Sequence, residues 1–447
     1  MLASRIGASA GRRRASNNRA NAGHTRRLKP DEQSDLQPEG RFPALRSPGY
    51  RLLWIGLTIS AVGTKMQDTT IRWHVYGLTH SMVALGLIGL CRFVPLVLCS
   101  LLGGALADAR DRRTILLITQ TVLASGAASL AFLTRSGVVS AATIYAISAI
   151  SAAALAFDSP ARQSLMPNLV PRKHFSNAAS LNSTGYKVAT VIGPYIAGML
   201  LQRGSIALIY WINAASFLAV LVALLWIRPA QMERKTVERD PVNLAGLREG
   251  FRFVWSQPIQ VWTICLDFLA SFFSSAEALL PVFAKDILRV DARGYGLLTA
   301  ASAAGSVSAG SVMAYRPPVV RQGLTMLTAV TVYGLSTVIF GISHNFQLSL
   351  AALAVTGAAD TVSSILRQTI RQMGTPDHLR GRMTAINMIF FTGGPQLGNL
   401  EAGLVASVAG APFSVVSGGI GCLLAVAWIA SRASVLRTYR SADQSRP

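Results

Sequence analysis

Residues 83–116 read VALGLIGLCRFVPLVLCSLLGGALADARDRRTIL. From 83 to 106 only Arg92 carries a charge, and the run stops at Asp108, Arg110, Asp111, Arg112 and Arg113 before apolar sequence resumes. A helix needs about 20 apolar residues to cross a hydrocarbon core. Working outward, runs of that length recur, separated by short polar or Pro/Gly breaks. They predict twelve spans: 52–76, 83–106, 114–134, 139–160, 177–201, 206–227, 259–283, 295–315, 323–343, 346–366, 383–408 and 412–431. Continuous apolar runs, rather than short alternating segments, exclude a barrel and predict an all-α integral membrane protein. A composition of 51% hydrophobic and 14% charged residues excludes an ordinary soluble chain of 447 residues. Gly, Ala and Ser are frequent within the runs, which lets helix backbones approach closely.

A net charge of +22 raises the possibility of nucleic-acid binding, so the placement of the charges decides. With the N-terminus in the cytoplasm, 33 of the 42 Lys and Arg residues fall on the cytoplasmic side of the twelve spans. The opposite side holds Arg135, Arg203, Lys285, Arg289 and Arg293, and Lys65, Arg72, Arg92 and Lys187 lie within spans. This is the positive-inside pattern. It predicts a multi-pass protein of the cell inner membrane with both termini cytoplasmic and no nucleic-acid partner.

The chain reads as a basic cytoplasmic tail (1–49), a six-helix bundle (50–228), a polar linker (229–257), a second six-helix bundle (258–432) and a C-terminal tail (433–447). The N-terminal tail reads as disordered, although its lack of acidic residues before Asp31 leaves a transit peptide open. A shift of 205 residues aligns Arg162-Gln163 with Arg367-Gln368, Pro171 with Pro376, Asn182 with Asn387, Gly193 with Gly398, and Ala197-Gly198 with Ala402-Gly403. Nearer the start of each half, Gly86-Leu87 answers Gly296-Leu297 at a shift of 210. The halves are therefore pseudo-symmetric copies, an arrangement that places a substrate site between them near mid-membrane.

GGALADARDRRTIL (103–116) resembles the loop motif of the major facilitator superfamily, with Gly103, Asp108, Arg112 and Arg113 matching. FDSPARQSLMPNLVPRKHFSNAASLNS (157–183), ALLPVFAKDIL (278–288), GYGLLTAA (294–301) and TPDHLRGRM (375–383) look like the branch that includes the enterobactin exporter and drug efflux proteins. The resemblance implies the major facilitator fold and proton-driven export of a small molecule by alternating access. It also implies that Asp108 latches the halves on the cytoplasmic side, and that the following arginine pairs with an acid ending the fourth helix, here Asp158. The corresponding loop of the second half, AYRPPVVRQ (314–322), lacks the Asp and the Arg pair. The Gly193, Pro194 and Gly198 group resembles the superfamily's antiporter motif, though helix packing accounts for the same glycines.

Ionisable residues within spans are costly and mark candidate function. Lys65, Asp68 and Arg72 share one face of the first span. Asp68 reads either as a proton carrier or as the partner of a fixed ion pair that holds Lys65 and Arg72. Arg92 is placed to meet an anionic substrate or an acid. Glu401 has no basic residue within two turns, so Glu401 and Asp68 are the candidates for proton coupling, with Glu401 preferred. Lys65, Arg72, Arg92, Trp73 and Asp267 are candidates to line the substrate cavity. Asp360 and Glu277 are further carboxylates in the second half, the latter expected to be solvated near the outer surface.

Cys91, Cys99, Cys265 and Cys422 lack metal-site spacing, and no GxxxxGK[ST] phosphate loop is present. The expectation is a monomeric transporter, not an enzyme, without cofactor or metal, whose partners are a small molecule, protons and the bilayer. An uptake permease is the alternative within transport, and a membrane sensor or scaffold the alternative outside it.

Overall fold

The computed structural model describes residues 42–109, 111–227, 252–376 and 380–440, with the side chains of 101–109, Pro167 and a few positions between 380 and 389 outside that description. Twelve long helices follow one another: α1 (Pro48–Thr79), α2 (Met82–Ala109), α3 (Arg112–Arg135), α4 (Ala141–Leu169), α5 (Phe175–Gln202), α6 (Ile206–Trp226), α7 (Pro258–Phe273), α8 (Ala292–Tyr315), α9 (Gln322–Ile342), α10 (Phe346–Met373), α11 (Arg380–Ala409) and α12 (Ala411–Arg432). A short α13 (Ser434–Thr438) follows. No strand occurs among the described residues.

Local chemistry sets the helix starts. Asp111 caps α3, its carboxylate accepting from the amides of Arg113 and Thr114. Ser140 and Thr143 form a capping box at α4, and Asn345 caps α10 through the amides of Gln347 and Leu348. Each satisfies N–H groups that the first helical turn leaves without partners. Among the described residues, nine stretches are long and apolar enough to cross a membrane. The remaining long helices, α1, α5 and α11, are those carrying Lys65, Asp68, Arg72, Lys187 and Glu401.

The structure departs from the predicted spans in two places. α4 and α10 run on past 160 and 366 to Leu169 and Met373, so Arg162, Arg367 and Arg371 lie on helices rather than in loops. The seventh span, predicted as one helix over 259–283, breaks after Phe273 into turns at Ala276–Leu279, Leu280–Val282 and Phe283–Ile287. The break is stabilised from outside the segment. Tyr333 donates to the Ser274 carbonyl at 3.3 Å, and the Ser275 hydroxyl lies 3.4 Å from the Pro395 carbonyl of α11. Irregular backbone at membrane depth persists only where protein supplies such partners.

The glycines of the sequence repeat meet across the halves. A Cβ on Gly198 of α5 would fall 2.8 Å from the Ala292 carbonyl of α8, and one on Gly296 would fall 2.6 Å from the Pro194 carbonyl. The mirror contact joins α2 and α11: a Cβ on Gly403 would fall 2.6 Å from the Met82 carbonyl, and one on Gly86 would fall 2.8 Å from that of Asn399. Glycine alone permits backbones this close. Gly193 and Gly398 do the same within their halves, against α1 at Lys65 and against α7 at Phe272.

One apolar cluster spans both halves at the end away from the termini, including Val75, Ile88, Leu201, Phe283, Leu298 and Ala406. At the end nearer the termini the apolar clusters of the described residues stay within one half each, one with Tyr50, Leu116, Leu165 and Leu224, another with Leu266, Met326, Leu366 and Ile429, and a small one with Val254, Ile264 and Met383. The bundle is thus sealed at its distal end, and no apolar cluster of the described residues joins the halves at its termini end.

Candidate functional site

Lys65, Asp68 and Arg72 occupy one face of α1, and the structure divides them between two partners. Asp68 is held by Arg92 of α2 at 2.5 Å and lies 3.9 Å from Lys65. Arg72 instead pairs with Glu277 at 3.2 Å, so Asp68 does not hold the Lys65 and Arg72 pair as one cluster. The break after α7 is what brings Glu277 to α1. The Lys65 ammonium also sits 5.3 Å from the centre of the Tyr186 ring of α5, where Gly193 leaves room for the lysine stem.

Beyond Arg72, α1 is tied to the second half by aromatic and polar contacts. Trp73 stacks on Tyr295 of α8 with ring centres 5.1 Å apart, and the Tyr295 hydroxyl donates to the Thr69 carbonyl at 2.9 Å. Lys285 lies 4.3 Å above the Trp73 ring, and the Tyr76 hydroxyl donates to Asp286. Trp73 is therefore part of the distal seal rather than an open cavity wall.

Asp267 was expected to line the cavity, but it is 1% exposed inside the second half. Arg367 approaches it to 2.8 Å and Arg371 to 3.5 Å, while Arg367 also lies 3.5 Å from Asp360. A buried carboxylate requires such partners, because isolated charge is costly in a low-dielectric interior. Lys65, Asp68, Arg72 and Arg92 are partly exposed, and Glu277 and Asp360 are more open still. Lys187 of α5 is exposed and would lie 3.1 Å from a Cβ on Gly310 of α8; it has no acidic partner among the described residues. Glu401 is half-buried on α11, also without an ion-pair or hydrogen-bond partner among the described residues.

The loop motif is arranged differently from the pairing its resemblance implied. Asp158 is fully buried and bound by Arg162 one turn along α4, with Gln120 donating at 2.7 Å and Thr119 at 3.1 Å. Arg112 does not reach it, donating instead to the Ser164 carbonyl at 3.0 Å, and Arg113 donates to the Leu225 carbonyl at 3.2 Å. Arg162 occupies the carboxylate first because it lies on the same helix at a spacing of four. The side chains of Gly103 and Asp108 lie outside the described residues.

Residues 39–446 match the family described as transmembrane secretion effector, within the major facilitator superfamily. The chain belongs to that family. The enterobactin exporter EntS of Escherichia coli O1:K1 is 28% identical over 343 residues, covering 76% of this chain and 80% of that protein. The exporter of the same description from Citrobacter koseri is 27% identical over the same lengths. Among solved structures, a bacterial homolog of the human lysosomal transporter Spinster, inward-facing and occupied, superposes with a TM-score of 0.70 at 15% identity. It covers 88% of this chain and 98% of its own. The nucleoside transporter NupG gives 0.66 at 12% identity, covering 87% and 98%. At these identities the structures establish the fold.

This major facilitator transporter is a multi-pass membrane protein that handles a small molecule and is not an enzyme. With the predicted spans ending at 160 and 366, Arg162, Arg367 and Arg371 read as loop charges in the sequence. Their alignment under the 205-residue repeat was the signal that two of them do more, since topogenic charges need no fixed register.

Proposed function

We propose that this transporter exports an anionic, siderophore-like small molecule from the cytoplasm, coupled to protons, by rocking its two halves. It would work as a monomer in the cell inner membrane with both termini cytoplasmic. The observation that carries this reading is local: Lys65 and Arg92 share the single carboxylate of Asp68, and Lys187 on α5 has no acidic partner among the described residues. Intramembrane cations face water or a partner, and Lys187 has no acid beside it. The distal seal fits the loading state of an exporter, and the relatives described as enterobactin exporters supply the substrate class.

Glu401 remains the preferred coupling carboxylate, because Asp68 is occupied by Arg92 and Lys65. One observation favours the opposite direction. Protonating Asp68 would release Arg92 and Lys65 for an incoming anion, so proton and anion would bind together, as in a symporter. Accumulation of enterobactin and a panel of organic anions, compared in cells with and without the gene, separates the two. Export predicts lower accumulation with the gene and a rise when the proton gradient is collapsed; uptake predicts both signs reversed. An unchanged panel would overturn the anionic assignment.

A further inference from the structure

Where α7 breaks, the second half encloses a small cavity of about 60 Å³. Its wall is made by the break through Ser274 and Glu277, by α8 through Thr299, by α9 through Tyr333 and Thr337, and by α10 through Thr356, with apolar side chains closing the rest. A space of this size holds a few waters or an ion. It is far below the roughly 300 Å³ at which small-molecule pockets begin. The transported molecule is therefore not its occupant.

The oxygens of the wall are chiefly acceptors. The Thr299 hydroxyl donates to the Tyr295 carbonyl at 3.0 Å, Thr337 to that of Tyr333 at 2.9 Å, and Thr356 to that of Leu353 at 2.6 Å. Tyr333 donates to the Ser274 carbonyl. A hydroxyl has one proton, so each of these four oxygens has committed it to the main chain and keeps only lone pairs. Glu277 is the one charged residue of the wall, and no described Lys, Arg or His lines it. α7 also ends here, and the carbonyl end of a helix carries partial negative charge. A water among such oxygens can donate both its protons but finds few donors for its own oxygen, whereas a small cation is satisfied by lone pairs alone. The carbonyl ends of broken membrane helices hold cations in this way. Affinity for a divalent ion rises with the charge of its ligand set, so a single carboxylate fits one positive charge.

We propose that the cavity in the break of α7 binds a monovalent metal cation, sodium, with Glu277 shared between the ion and Arg72. Glu277 is exposed and lies 3.2 Å from Arg72 through one carboxylate oxygen. Whichever partner gains the carboxylate weakens the hold of the other. An ion in the cavity would thus loosen the pair that joins the halves, and removal of Arg72 would tighten the ion. The site requires neither the direction of transport nor a role for Glu401.

The test is equilibrium dialysis of radioactive sodium against the purified full chain in phosphatidylcholine nanodiscs, with choline chloride holding ionic strength constant and no substrate or gradient present. Saturable binding is expected, and Glu277→Gln should abolish it. Thr337→Val and Thr356→Val keep the branched shape, remove one hydroxyl each, and should each weaken binding about tenfold. Arg72→Gln should strengthen binding, a gain that misfolding would not produce. No saturable binding by wild type, unchanged binding in Glu277→Gln, or unchanged binding in both valine variants would overturn the site. Weaker binding in Arg72→Gln would overturn the sharing of Glu277. No transport is measured, so these outcomes stand apart from those that decide the export reading.

Discussion

Arg72 of α1 lies 3.2 Å from Glu277, in the break that follows α7, so one ion pair bridges the two halves just below the distal seal. Glu277 is 63% exposed, which keeps the static strength of the pair to about 0.2–1 kcal/mol. A bias of that size still changes the ratio of two conformers up to about fivefold. Arg72→Glu should therefore raise the reactivity of cysteines placed at the distal ends of α1 and α7 toward a membrane-impermeant maleimide. Arg72→Glu combined with Glu277→Arg should restore the original reactivity. Failure of the double variant to recover would mean that the pair does not hold the seal.

Asp158 and Arg112 should respond differently to removal. Asp158 is buried and takes three side-chain partners, so Asp158→Ala should destabilise the protein by about 1.5–3 kcal/mol for the charged hydrogen bonds lost. Arg112→Gln removes one bond to a carbonyl and should leave the melting temperature nearly unchanged. Thermal unfolding of detergent-purified variants, followed by fluorescence, distinguishes them. Equal losses would point to an Arg112 to Asp158 contact.

The glycine contacts give a steric prediction. Gly198→Ala and Gly296→Ala each place a Cβ less than 3.0 Å from backbone of the opposite half. Each should cost about 1–3 kcal/mol in the distally sealed state and shift the protein toward the distally open one. Gly86→Ala and Gly403→Ala should act alike by pseudo-symmetry. Spin-label distances across α5 and α8 would report the shift, and unchanged distances would contradict the packing argument.

Glu401→Gln keeps the side chain's shape and removes its proton. Net transport against a gradient should be lost in proteoliposomes while substrate exchange at equal concentrations continues. Normal pumping with an unaltered pH profile would move the coupling site to Asp68 or Asp360.

Orientation has its own check. Reporters fused after Pro447 and within the 229–257 linker should both give cytoplasmic signals. A periplasmic signal from either contradicts the topology on which the direction of transport depends.

The number of helices, their order and the glycines of the repeat were legible in sequence, because bilayer crossing requires long apolar runs and close packing requires small residues. The pairing of charges was not. Whether Asp68 meets Arg72 or Arg92 depends on how α1 and α2 are rotated against each other, which hydropathy does not encode. The break that brings Glu277 to Arg72 was hidden for a similar reason. Ser274 and Ser275 are ordinary in an apolar run, and the groups that stabilise their departure from helix, such as Tyr333, come from a distant part of the chain. Arg162 and Arg367 carried a positional signal but no indication of which acids they would meet.

Those two arginines occupy matching places in the repeat, yet their acids differ in origin. Arg162 is bound to Asp158 on its own helix, as a strut within α4. Arg367 is bound to Asp267 on a different helix, as a strap from α10 to α7. Tilting α4 engages α3 through the Gln120 and Thr119 bonds to Asp158 and goes no further by charge, whereas tilting α10 must carry α7 with it, and the end of α7 leads to Glu277 and so to Arg72. The second half is geared to the distal seal by charge in a way that the first is not, so a force applied at the termini end of α10 would be felt at the far side of the membrane.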